Sequence, residues 1–159
     1  MSEYLINRAK TVCVSGHRAL PYNFDKDKLK NAFLTLLNNG YDTFLIGMAL
    51  GFDTVCFHLL EQIREKTAIK IIACVPCEEQ DKLFSTAQKK EYRRMLEVAD
   101  QKIVLSKNYT PQCMQNRNKF MVDNSSIVIA YLSKNFGGTK NTVEYAKKMG
   151  VVVVNMATI

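Results

Sequence analysis

Short runs of β-branched and aliphatic residues alternate along this chain with longer segments whose apolar residues recur every three or four positions. That alternation limits the fold more than any single motif does. Thr11-Val12-Cys13-Val14-Ser15 is the first such run, ended by Gly16, and predicts a strand. Leu29, Ala32, Phe33, Leu36 and Leu37 then predict an amphipathic helix over 26–39, with Asp25 as its cap and Gly40 as its stop. The pattern repeats: strands over 43–46, 70–75, 102–105, 126–131 and 151–155, and helices over 53–66, 87–99, 113–123 and 141–149. Asp53 is the expected cap of the second helix, whose apolar face uses Val55, Cys56, Leu59, Leu60 and Ile63. The last strand, Val151-Val152-Val153-Val154, is apolar without interruption. Strands of that kind belong to parallel sheets covered on both faces by helices. The expectation is an α/β fold: one open, three-layer domain over residues 1–159 with a mainly parallel sheet.

The 159 residues suffice for one core and are too few for two full domains. A 47% hydrophobic and 23% charged composition excludes a disordered or low-complexity chain. No stretch is long and apolar enough to span a bilayer, and the first ten residues have no signal-peptide segment, so a cytoplasmic protein without a membrane partner is expected. Five cysteines, an odd number, fit reduced thiols better than a disulfide framework. Cys74-Val75-Pro76-Cys77 is a C-x-x-C, but a redox pair prefers a helix N-terminus and Cys74 sits in a strand. A four-cysteine zinc site would need a second such pair, and His17 and His58 match no metal spacing, so neither metal nor cofactor is expected. His58 lies off the apolar stripe of its helix and reads as a surface residue.

Lys and Arg number 22 against 15 Asp and Glu, a net charge of +7. Residues 106–159 hold 7 basic and 2 acidic side chains, so +5 of the surplus lies in the last third. These residues are mostly scattered singly and read as solvated lysines, with Arg117 and Lys140 set apart by the motifs around them.

In an open parallel sheet, ligands sit beyond the carboxyl ends of the strands. Three glycine-bearing loops fall there. Ser15-Gly16-His17-Arg18 follows the first strand, and Arg18 can pair bidentately with a phosphate; the alternative is a plain turn with a surface cation. The segment matches neither the G-x-G-x-x-G fingerprint nor a Walker A sequence. Gly47-Met48-Ala49-Leu50-Gly51-Phe52-Asp53 permits close backbone approach to a ligand, and Asp53 can accept from ribose hydroxyls or simply cap its helix. Phe136-Gly137-Gly138-Thr139 opens the last helix and offers free N–H groups and a hydroxyl, a phosphate cradle or else a flexible turn capped by Thr139. Together they predict a pocket for a nucleotide or nucleotide-sugar.

Val14-Ser15-Gly16-His17-Arg18, Gly47-x-x-x-Gly51-x-Asp53, Asn116-Arg117, and Gly137-Gly138-Thr139 with Tyr145-Ala146 together resemble the YpsA-like proteins. Their superfamily includes the LOG-type, lysine-decarboxylase-like proteins and the DprA DNA-processing domain. The resemblance spans about residues 8–155 and implies a Rossmann-like fold with a nucleotide or ADP-ribose-like ligand and a possible sensing role. It places Asn116 among the binding residues. The LOG branch implies a phosphoribohydrolase, with an Arg-Lys-x-x-Met helix followed by Pro-Gly-Gly-x-Gly-Thr-x-x-Glu. Here Arg117, Met121, Gly137, Gly138 and Glu144 fall on that signature, whereas Asn118, Phe136, Lys140 and Asn141 replace its Lys, Pro, third Gly and Thr. By that resemblance Arg117 and Glu144 are the candidate catalytic pair. A carboxylate at Glu144 would stabilise positive charge on the ribose or activate water; otherwise it is a solvated acid paired with Lys148. The DprA branch implies single-stranded DNA as a less favoured partner, with Tyr109, Tyr131 and Tyr145 available for stacking. A homodimer is the general expectation for subunit state.

Overall fold

A computed structural model describes residues 5–158. A short 3-10 turn, Arg8–Lys10, leads into strand β1 (Thr11–Gly16). There follow α1 (Lys26–Asn38), β2 (Thr43–Ile46), α2 (Phe52–Arg64), β3 (Lys70–Val75), α3 (Thr86–Val98), β4 (Gln101–Val104), α4 (Cys113–Asp123), β5 (Ile127–Tyr131), α5 (Gly138–Lys148) and β6 (Val152–Asn155). All six strands are parallel, in the order β4-β3-β2-β1-β5-β6. This is the expected three-layer α/β fold, with a sheet parallel throughout.

The layers follow from the period-2 geometry of the strands. Val12 and Val14 of β1, Phe44 and Ile46 of β2, and Ile71, Ala73 and Val75 of β3 face one side, where they pack with Leu29, Phe33, Phe57, Leu60, Tyr92 and Met95 of α1, α2 and α3. Cys13, Leu45, Ile72, Cys74, Ile103, Val128 and Ala130 face the other, against Met121, Val122, Val143 and Ala146 of α4 and α5. Connections from β1 to β4 run one way across the sheet, and the chain then returns past β1 to place β5 and β6. Right-handed crossovers running in opposite directions put their helices on opposite faces. The strand order therefore reverses between β1 and β5, and a crevice opens at their carboxyl ends.

Several boundaries differ from expectation for identifiable reasons. Asp25 does cap α1, its carboxylate accepting from Lys28 N–H at 3.0 Å. Asp53 does not cap α2: Gly51 is the cap, and Asp53 is the second helical residue. Thr139 likewise gives way to Gly137, and α5 begins at Gly138, three residues earlier than its apolar stripe predicts. The α3 start is fixed by a capping box between Ser85 and Gln88. The uninterrupted valine run does not mark a central strand. β6 is an edge with one neighbour, and Val152 is 58% exposed. Among the described residues no helix is long and apolar enough to cross a membrane.

Candidate functional site

The crevice beside β1 and β5 is a cleft of about 430 Å³. One wall is the end of β1 and its loop, Val14 to Ala19. The other is α4, through Met114, Arg117, Asn118 and Met121, together with Gly138 and Thr139 at the α5 N-terminus. Asp53 and Ala49 close the floor, and Arg18 and Lys134, both exposed, stand at the rim.

Asp53 and Arg117 form the buried charged base of this cleft, 6% and 5% exposed. Asp53 Oδ2 accepts from Ala49 N–H at 3.1 Å. Burial raises the Asp53 carboxyl to about 6, against the opposing pull of Arg117, the Ala49 N–H and Arg18. Burial also lowers Arg117 from its usual value, with Asp53 opposing. The guanidinium is extensively engaged by the protein. Nη1 donates to the Gly47 carbonyl and, at 3.5 Å, to that of Cys74; Nε donates to Asn118 Oδ1 at 2.8 Å. Arg117 therefore organises the floor instead of standing free.

The glycines of the first two loops serve the protein's own packing. A Cβ on Gly16 would sit 2.3 Å from the Phe52 ring, and one on Gly47 would meet the Arg117 guanidinium at 2.8 Å. Gly51 has φ +80°, and a Cβ there would lie 2.1 Å from the Arg18 carbonyl oxygen. At Gly137 and Gly138, by contrast, a Cβ would meet nothing within 4 Å among the described residues. The α5 N-terminus thus carries the open backbone. His17 is nearly buried, and its Nε2 accepts from Ser133 N–H at 2.9 Å, joining the loop after β1 to the loop after β5. Burial, then the charge of Lys134, lowers His17 from its usual value.

Not every expected residue reaches the cleft. Met114, Arg117, Asn118 and Met121 share one face of α4 at i, i+3, i+4 and i+7, which leaves Asn116 off that face and puts Asn118 at the cleft instead. Glu144 lies off the buried Thr139, Thr142, Val143 and Ala146 stripe of α5. Its side chain is 61% exposed and pairs at 3.1 Å with Lys140, one turn earlier, not with Lys148. Arg117 and Glu144 are therefore not brought together. His58 is half-exposed as expected, and its Nε2 contacts Glu91 at 2.6 Å.

Sequence reasoning missed Asn118, Lys134 and the buried prop beneath Gly47. Gln80 Nε2 donates to the Gly47 carbonyl at 2.9 Å, and Tyr92 Oη donates to Gln80 Oε1 at 2.9 Å. The helical spacing from Arg117 could have found Asn118; nothing local marks Gln80. All five cysteines are free thiols and buried. Burial, with Cys113 beside it adding to the effect, raises Cys77, so within the C-x-x-C its neighbour across the fold is Cys113. Among the described residues no cluster of three His, Cys, Asp or Glu side chains could hold a metal.

The family model for YpsA, described as the YspA SLOG family, matches residues 8–153. The chain belongs to the YpsA family. A relative, the SPbeta prophage-derived protein YoqJ of Bacillus subtilis (strain 168), is 36% identical over a region covering 77% of this chain and 80% of YoqJ. Among solved structures, DNA processing protein A (DprA) of Streptococcus pneumoniae superposes with a TM-score of 0.66 at 23% identity, over 90% of this chain and 48% of that one. Helicobacter pylori DprA gives 0.64 at 21%, over 90% and 63%. TM1055 gives 0.55 at 18%, over 91% and 72%. This YpsA-family chain thus spans 48% and 63% of the two DprA chains, and the likeness shows the shared Rossmann-like fold.

Proposed function

We propose that the cleft binds a nucleotide or an ADP-ribose-like ligand. The observation that carries this reading is one cleft lined by the buried side chains of Asp53 and Arg117, by the open α5 N-terminus and by the exposed Arg18 and Lys134. The first N–H groups of α5 have no helical acceptor and favour an anion. A phosphate there would lie between Gly138, Thr139 and the two rim cations. Asp53, with Oδ2 committed to Ala49, is among the described residues the single acidic side chain lining the cleft and suits a sugar hydroxyl. Hydrolysis of an N-glycosidic bond is less well supported, because Glu144 lies outside the cleft. We propose a sensing or regulatory role for such a site.

Thermal unfolding against a panel of AMP, NAD, ADP-ribose and ribose 5-phosphate tests this. Stabilisation by at least one of them, lost in an Arg18→Ala, Lys134→Ala double variant, is the expected result. No shift with any of the four would overturn the reading.

A second reading rests on a different observation. Tyr22, Tyr109 and Phe136 are 103%, 60% and 71% exposed, and they lie on the loops after β1, β4 and β5, all at the carboxyl edge of the sheet. Exposed aromatics beside cations suit unpaired bases. The Helicobacter pylori DprA structure is described as showing a single-stranded DNA binding mode. A short thymidylate strand along this edge is the corresponding proposal here.

A further inference from the structure

Two polar side chains of the cleft have their acceptor atoms taken by the protein itself. The Nε–H of Arg117 can only donate, and it reaches the Asn118 side chain at 2.8 Å. The atom that receives it must be the amide oxygen Oδ1. The amide nitrogen Nδ2 is then left as a donor with no partner among the described residues. The same logic applies to His17. Ser133 N–H can only donate, so the Nε2 it reaches carries no proton, and in the neutral ring Nδ1 does. Both residues line the cleft. With Arg18, Lys134 and the α5 amides, donors predominate on the polar surface offered to a ligand; Asp53 accepts at the floor, and the Ser15 and Thr139 hydroxyls can donate or accept.

We propose that Asn118 is a specificity-determining residue of this site: turned by Arg117, it presents Nδ2 and selects a ligand carrying a hydrogen-bond acceptor at that point. The acceptor is a phosphate oxygen or an acceptor atom of the base. This inference rests on the nucleotide reading of the cleft. It narrows the ligand to one that shows an acceptor toward Asn118 on the α4 wall. A ligand presenting an ammonium or a conjugated amine N–H to Asn118 would leave that donor facing another donor, a mismatch that costs far more than a missing bond.

Asn118→Asp tests the assignment because it separates structure from recognition. One aspartate oxygen keeps the Arg117 Nε contact, while the other replaces the Nδ2 donor with an acceptor. Asn118→Ala removes both. Calorimetric titration of AMP, ribose 5-phosphate and adenosine into the whole chain is compared across wild type and the two variants, alongside their ligand-free melting temperatures. Asn118→Asp should keep a melting temperature nearer to wild type than Asn118→Ala does, yet bind at least tenfold more weakly than Asn118→Ala. Loss of ribose 5-phosphate binding places the acceptor on the phosphate; loss confined to AMP and adenosine places it on the base. A merely structural role would give the reverse order, with Asn118→Asp binding as well as wild type, and that result overturns the inference while leaving the nucleotide reading in place. Failure of the wild-type chain to bind any of the three overturns this inference, and the nucleotide reading falls with it only if NAD and ADP-ribose fail as well.

Discussion

Gly16 shows how one atom's worth of space holds the site. Phe52 opens α2 and packs its ring where any Gly16 side chain would sit, 2.3 Å from the methyl position that an alanine would require. Backbone carries the two together as well, Phe52 N–H donating to the His17 carbonyl at 3.1 Å. Neither neighbour is the far end of a flexible chain, so relief requires α2 to move from β1. Gly16→Ala should destabilise the fold by about 2 kcal/mol, as overpacking of a close-packed core does. Urea unfolding measures it. A change near zero would mean that the β1 loop and α2 separate freely.

Asp53 makes a second prediction at this scale. Its folded value, about 6, lies above its ordinary 3.8, and burial is the main cause. The folded chain therefore binds this proton more tightly than the unfolded chain. Its effect on stability is favourable at low pH and is lost as pH rises through about 6. Two units correspond to about 3 kcal/mol as an order of magnitude. His17, held below its usual value by burial and Lys134, works in the opposite direction: its stability is present above 6.5 and is lost as pH falls. A difference between wild type and Asp53→Asn cancels the His17 contribution. That difference, from urea unfolding between pH 5 and 7.5, should tilt toward the wild type at the acid end. A flat difference would place Asp53 in contact with bulk water.

Elements were legible where the pattern was local, and less so where a distant partner decided it. The apolar stripe of α1 is visible in its own residues, and Leu29, Phe33 and Leu36 are buried as read. The first turn of α5 carries no such stripe, only a glycine, a threonine and a lysine, so its true start was hidden. Gly47 looked like room for a ligand because Arg117, which fills that room, lies 70 residues away. The role of Asn118 was hidden for the same reason: its orientation depends on Arg117, whose own position depends on Gly47 and Cys74.

Between α2 and α3 the structure joins charges that lie 33 residues apart in the sequence. Arg94 donates to both oxygens of Glu61 at 2.8 and 2.9 Å and to both of Glu91 at 2.7 and 2.8 Å, while His58 contacts Glu91. The Arg94 hydrogen bonds, with smaller help from His58, hold Glu91 at about 2, below its ordinary 4.5. The sign is that of a depressed acid: stability is present above 4.5 and is lost as pH falls toward 2. The Arg94 side chain is 41% exposed, so solvent screens the network and Arg94→Ala should cost about 1 kcal/mol at pH 7. The cost should shrink as pH is lowered to 3, read by thermal unfolding of both proteins. A cost independent of pH would assign the loss to the packing of the arginine stem.

The net charge of +7 acquires a meaning only with the whole molecule in view. All six strands run the same way, so every strand-end loop reaches one edge, where Arg18 and Lys134 flank the cleft and three aromatics stand exposed. The two ligands proposed for that edge, a nucleotide and a single strand, are separated by salt. A mononucleotide has no condensed counterion atmosphere to release, so its binding in the cleft should change only a few-fold between about 50 and 300 mM salt. A single strand that engages several cations releases counterions, with a slope of about −0.7 in log affinity against log salt for each phosphate contacted. We expect AMP or ADP-ribose stabilisation to persist at the higher salt while retention of a thymidylate 12-mer disappears. Removing Arg18 and Lys134 together should abolish the first and flatten the slope of the second by about 1.4. A thymidylate strand still held at about 300 mM salt, and displaced by neither nucleotide, would instead make this edge a nucleic-acid surface, with the exposed aromatics as its stacking platform.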